Sequence, residues 1–167
     1  MYMFDILNAP DIVSALTIIP ILLILKASMS KDNVWSKSFE RDVSSTPAKI
    51  WQALSDTSAW QQWNPGVKAM HLEGPFQAGT WFSMTLPEGE VIRSQLIDVS
   101  EEKQFVDETL IDETLVRVEH RIEALHAGQC RLIYAISTQG PDAQATGEAV
   151  SEDFPDVMAG LANYLAE

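Results

Sequence analysis

From Val34 the chain alternates polar and apolar positions, VWSKSFERDV, as a half-buried strand does. The pattern changes at SSTPAKIWQALSD, where Thr46 offers an N-cap hydroxyl and Pro47 a first-turn proline. Ile50, Trp51 and Leu54 then share one face, so a short helix is predicted there. A second short helix carries Trp60 and Trp63, three apart, and stops at Pro65 and Gly66. Six further strands are predicted over 67–72, 80–86, 90–99, 104–111, 114–125 and 129–138. The separators EGPFQAG, PEG, SEEK, DE and HAG are short and turn-like, so consecutive strands should pair antiparallel as a meander. In the tail, Val150, Phe154, Val157, Met158, Leu161 and Leu165 form one helical stripe, with Pro155 marking a kink or a first turn.

These elements predict an α+β domain over residues 31–167: a curved seven-stranded antiparallel sheet wrapped on a long C-terminal helix, with two short helices after the first strand. A sheet of that size curls because its strands twist, and a helix across the concave face leaves a space behind it. The architecture therefore predicts a pocket.

Residues 1–30 form an apolar extension to this domain. Their unbroken apolar run, 12–25, is shorter than the roughly 20 residues of a membrane span. Asp5 and Asp11 lie inside or beside it, Pro20 interrupts it, and no Lys or Arg precedes it as a signal peptide requires. One reading is membrane association through residues 6–27. The others are an extra helix packed on the domain, or a start codon read too early, with Met29 opening a natural cytoplasmic beginning. A cytoplasmic protein is the expectation, with membrane anchoring by the N-terminal segment as its alternative.

Charge narrows the partners. With 24 Asp plus Glu against 11 Lys plus Arg, the net charge of -13 repels phosphate backbones, so nucleic acid is not an expected partner. The single cysteine, Cys130, cannot form an internal disulfide. No nucleophile elbow, phosphate-cradling glycine loop or zinc ligand set occurs, and no cofactor is expected. The acidic run DETLIDETLVRVEH, 107–120, alternates its carboxylates between faces and straddles a turn, unlike a calcium loop, so no metal is assigned to it.

The segments STPAKIWQALSDTSAWQQWNPGV, AGTWFSMTLP, VEHRIEAL with QCRLIYAIS, and SEDFPDVMAGLANYLAE occur in an order that resembles the START/birch-pollen-allergen superfamily, also called SRPBCC or polyketide cyclase/dehydrase-like. That resemblance covers about residues 34–167 and implies the helix-grip fold. It also implies binding of a hydrophobic or amphipathic small molecule, lipid- or polyketide-like, between the sheet and the C-terminal helix. Two alternatives come with the resemblance: a polyketide cyclase or dehydratase, and a co-chaperone-like module that binds protein through its outer surface.

Strand alternation assigns the pocket wall. Phe82, Met84 and Leu86 form the apolar face of one strand, and Leu132, Tyr134 and Ile136 that of the last, with Met158 and Leu161 of the final helix above them. In LVRVEHRIEAL, Val116, Val118, His120 and Ile122 face inward while Arg117, Glu119, Arg121 and Glu123 stay wet. Both faces of 90–99 are mixed; one assignment puts Arg93 and Gln95 inward with Val91 and Ile97. If Asp112 and Glu113 make a two-residue turn, Glu108 meets Arg117 on the outer face and Phe105 lies opposite His120. Asp107 then sits diagonally beside His120. The candidate ligand-binding set is Trp63, Phe82, Met84, Phe105, Val118, His120, Tyr134, Met158 and Leu161, with Trp81 an alternative stacking surface. His120 and Asp107 are the candidate catalytic pair, His120 as general base or acid and Asp107 fixing its tautomer. A structural role for a lone histidine on an apolar face is the competing reading.

Overall fold

The computed structural model describes residues 33–167, so the apolar N-terminal run and the membrane reading attached to it lie outside the described residues. Among the described residues, no helix is long and apolar enough to cross a membrane. The chain opens with β1 (Val34–Val43), then α1 (Pro47–Ser55), a 3₁₀ turn (Thr57–Ala59) and α2 (Trp60–Trp63). Six strands follow: β2 (Ala69–Leu72), β3 (Trp81–Thr85), β4 (Val91–Ser100), β5 (Gln104–Ile111), β6 (Thr114–His126) and β7 (Gln129–Gln139). Two helices, α3 (Ala143–Ser151) and α4 (Phe154–Leu165), close the chain.

All seven strands join one antiparallel sheet in the order β1-β7-β6-β5-β4-β3-β2. The meander from β2 to β7 follows from the short turns, and β1 completes the sheet by pairing along β7. With the short helices after β1 and the C-terminal helices packed on the sheet, this is the helix-grip arrangement.

The first helix starts where its cap is. Thr46 Oγ1 accepts a hydrogen bond from the Lys49 amide at 3.3 Å, and Pro47, with no N–H to satisfy, occupies the first turn. Thr46→Ala should cost about 1 kcal/mol in chemical denaturation, the usual worth of such a cap. An unchanged midpoint would show that the cap is dispensable. At the other end, Asp56 Oδ1 accepts from Ser58 N and Ser58 Oγ, which turns the chain into the 3₁₀ segment.

The long C-terminal helix bends at Glu152 and Asp153, where the Asp153 carbonyl accepts from the Asp156 and Val157 amides, and Pro155 sits in the first turn of α4, one of the two places expected for it. Two expectations are corrected. The second strand begins at Ala69, not at 67, because Val67 turns into the core and its amide bonds to the Asn64 carbonyl. In β4 the inward set is Ile92, Ser94 and Leu96, the opposite of the Arg93 and Gln95 assignment. Arg93 instead pairs with Glu73 at 3.1 Å and lies over the exposed ring of Trp81 at 4.2 Å. A register shift between Leu96 and Asp98 reverses the alternation beyond it, so Val99 returns to the core side.

The core fills the space between sheet and helices. Ile50, Leu54, Leu96, Phe105, Leu132, Ile136, Met158 and Leu161 are all completely buried. Two glycines permit the closest approaches. A Cβ on Gly147 would strike the Trp35 ring, and one on Gly160 would strike the Trp63 carbonyl oxygen.

Candidate functional site

The β5–β6 hairpin sets the chemistry of the concave face. Its two-residue turn places Asp112 at φ 50°, and its register runs Ile111 to Thr114, Glu108 to Arg117, Asp107 to Val118 and Phe105 to His120, as the sequence implied. Glu108 and Arg117 pair outward at 2.6 Å, so part of the acidic run is an exposed ion pair worth at most about 1 kcal/mol. Asp107 and His120 face inward from neighbouring strands.

The His120 ring is held by its neighbours. It stacks on Phe105 with centroids 4.0 Å apart and planes 10° apart, and meets the Tyr134 ring edge-on at 4.5 Å. Tyr134 in turn packs edge-on against Phe154 at 5.6 Å. The His120 Nδ1 lies 3.5 Å from Asp107 Oδ2, too long for a good hydrogen bond, and this buried nitrogen has no other partner. Burial pushes the Asp107 carboxyl up to about 7, with the nearby Glu108 charge adding to the rise. Burial also pushes the His120 imidazole down to about 3. The imidazole is therefore neutral near pH 7, and the contact is not an ion pair. Tyr134 is raised above the usual phenol range by burial and by the charge on Asp107, so it stays a neutral hydroxyl.

These side chains open onto a cavity of about 200 Å³ between the concave sheet face and the helices. The sheet contributes Phe82 and Met84 from β3, Ile92 and Ser94 from β4, and Asp107, Thr109 and Ile111 from β5. Val116, Val118 and His120 of β6 and Tyr134 of β7 continue the wall. Trp60 and Trp63 of α2 close it from above, together with Val150, Phe154 and Val157 of the C-terminal helices. Asn64, Gly66 and Asp153 meet at the edge, where burial raises the Asp153 carboxyl. Two polar features lie in the residues that form this apolar lining. The hydroxyls of Ser94 and Thr109 bond to each other, and the buried indole N–H of Trp63 has no acceptor.

Of the residues named from sequence, Trp63, Phe82, Met84, Asp107, Val118, His120 and Tyr134 are on the cavity wall. Phe105, Met158 and Leu161 are not. Phe105 lies behind His120, packed against Phe76 and Trp60, and Met158 and Leu161 are completely buried in the core. Alternation gives the face of a strand but not the depth at which a side chain ends. Trp81 faces outward under Arg93 and does not reach the cavity. The sequence reading left Trp60, Asn64, Ser94, Thr109 and Asp153 out of the site. Thr109 shares the parity of Asp107 and pairs with Ser94, a signal legible once the register of β5 is known. Asn64 and Asp153 sit in breaks between elements, where no periodicity marks an inward position.

Comparison with known proteins gives three findings. Residues 35–166 match the family described as polyketide cyclase / dehydrase and lipid transport. No curated protein matches the sequence. Among solved structures, norcoclaurine synthase from Thalictrum flavum in complex with dopamine and hydroxybenzaldehyde is similar, with a TM-score of 0.67 at 13% identity, covering 99% of this chain and 97% of that one. Ara h 8.0201 aligns with a TM-score of 0.66 at 15% identity, covering 80% and 99%. A protein from Mesorhizobium loti aligns with a TM-score of 0.65 at 16% identity, covering 79% and 97%. At these identities the likeness is one of fold.

Proposed function

The chain belongs to the polyketide cyclase/dehydrase and lipid transport family, and from that premise we propose that it holds a compact hydrophobic or amphipathic molecule in the cavity beneath α2 and the α3–α4 junction. The observation that carries this reading is an apolar cavity whose wall retains two polar side chains, Asp107 and His120, that approach each other no closer than 3.5 Å. A space meant only to be filled by the protein's own side chains has no reason to keep them, since each unmatched buried polar group costs about 1–3 kcal/mol. A ligand with one or two polar groups satisfies them while its apolar body takes up the hydrophobic wall.

Size narrows the class. An apolar cavity of about 150 Å³ accepts benzene, so a cavity of about 200 Å³ suits one substituted ring or a short acyl chain. The norcoclaurine synthase structure of the same fold holds dopamine and hydroxybenzaldehyde, each a single-ring molecule. Charge narrows it further. Asp107 and Asp153 share the wall of a protein with net charge -13, which disfavours anionic ligands.

Native mass spectrometry of the full chain, purified without denaturation, should show a non-covalent adduct of a small neutral molecule. Val118→Phe places a ring in the cavity and should abolish that adduct, at a stability cost of no more than about 1–3 kcal/mol. An adduct that survives the substitution would mean that the molecule sits elsewhere, and no adduct in either protein would count against the ligand reading.

A further inference from the structure

We propose that Asp107, with His120 beside it, is a proton-transferring pair acting on an uncharged ketone of single-ring size. This rests on the reading of the cavity as a ligand site, and it reverses the roles the sequence suggested: the carboxylate is the base, and the imidazole positions it.

Two features of the wall carry the assignment. Among the described residues no N–H or O–H donor bonds the Asp107 side chain, although the residue is 9% exposed and faces an apolar space. An ordinary structural carboxylate in such a place is tied down by donors, so this one is left with its proton affinity high. Secondly, the Phe105 and Tyr134 rings hold the imidazole with Nδ1 free and aimed within 3.5 Å of Asp107 Oδ2. A neutral Nδ1 in that position accepts the hydrogen bond of the carboxylic acid once it has taken up a proton.

The ionisable groups around Asp107 keep this arrangement working near neutral pH. Glu108 on its own strand points outward to Arg117, His120 and Tyr134 on β6 and β7 are neutral, and Asp153 faces the cavity from the α3–α4 junction with its carboxyl raised. No cation faces Asp107 among them. A base whose affinity for protons matches the working pH transfers them most efficiently, and a carboxyl in an apolar site is a recurrent way to obtain one.

The step balances without a co-reactant. In 3-cyclohexen-1-one, the C–H bond on the carbon between carbonyl and alkene breaks, and the proton passes to an Asp107 oxygen. The bonding pair forms a new carbon–carbon double bond while the carbonyl π pair moves to oxygen. The carbonyl then re-forms and the proton returns from Asp107 to the far alkene carbon, giving 2-cyclohexen-1-one. The conjugated product absorbs in the ultraviolet where the substrate does not.

The test uses the full chain with this ketone, and cyclohexanone as an inert ligand whose binding is read from the fluorescence of Trp60 and Trp63. The wild type should bind cyclohexanone and isomerise the enone faster than buffer, with a rate that rises with pH through an inflection near 7. Asp107→Asn should keep cyclohexanone binding, which shows that it is folded, and lose about 10²–10⁴-fold in rate. His120→Phe keeps the ring stacked on Phe105 and should move the pH inflection toward acid, because the protonated carboxyl loses its acceptor; a purely structural histidine would leave it in place. Binding without isomerisation above buffer, or equal rates for wild type and Asp107→Asn, overturns the proposal and leaves the ligand reading standing. Failure to bind cyclohexanone overturns the proposal too, and with no adduct in native mass spectrometry the ligand reading falls with it.

Discussion

Asp107→Asn should add a slope to the profile of stability against pH. The folded carboxyl is raised from 3.8 to about 7 and the folded imidazole lowered from 6.5 to about 3, both chiefly by burial. Taken singly, the two groups act in opposite directions. The raised carboxyl gives stability that is fully present below pH 3.8 and is lost as pH rises toward 7. The lowered imidazole gives stability that is present above 6.5 and is lost as pH falls toward 3. Between about pH 4 and 6.5 the folded pair holds one proton, on Asp107, and the unfolded pair also holds one, on His120. Equal proton counts mean no slope from the pair. With asparagine at position 107 only the imidazole remains, and stability should climb with pH across that window by up to about 1.4 kcal/mol per unit. Urea denaturation at about pH 4, 5 and 6 for both proteins removes the background of the other carboxylates, which is common to the two. Parallel profiles would show that the two groups are not buried together as described.

Gly160→Val should destabilise the protein by about 3 kcal/mol or more. A Cβ at this position meets the carbonyl oxygen of Trp63, a backbone atom that cannot swing aside. Helix α4 would have to lift from α2, withdrawing the completely buried Met158 and Leu161 and shifting Trp63 in the cavity wall. The smaller change Gly160→Ala gives a test of sign. In an open helix it stabilises by about 0.5–1 kcal/mol, because glycine is the poorer helix former. Here the contact should reverse that, and a rise in the denaturation midpoint would refute the close approach.

The hairpin from Gln104 to His126 was readable because turn length and alternation both point to one register, which fixes Asp107 beside His120. Strand β4 was not, because an extra residue near Ile97 breaks the period of two and because its inward polar residue, Ser94, pairs with Thr109 from another strand. The same limit applies to depth. Phe105 and His120 are opposite one another and face the same way, yet only His120 reaches the cavity, since the Phe76 and Trp60 rings enclose Phe105. The final helix was legible as a stripe, but the turn around Asp153 that aims Phe154 and Val157 at the cavity depends on packing against the sheet. Trp60 was legible as a residue of the second short helix, three before Trp63. Its place in the wall follows from the 3₁₀ turn that Asp56 caps.

The pairing of β1 with β7 has a consequence for how the chain assembles. Val34 lies opposite Gln139, a closure over about a hundred residues, and such long-range contacts slow folding because the loop entropy is lost before the contact is gained. Strands β2 to β7 can zip up as successive local hairpins, each next to the one before it. The outer edge of β7 then waits, with its amides and carbonyls unpaired, for a strand made first and docked last. During that interval the nascent sheet offers a bare edge that another chain can occupy, so the passage to the native state is most exposed to intermolecular pairing at the strand that carries Tyr134.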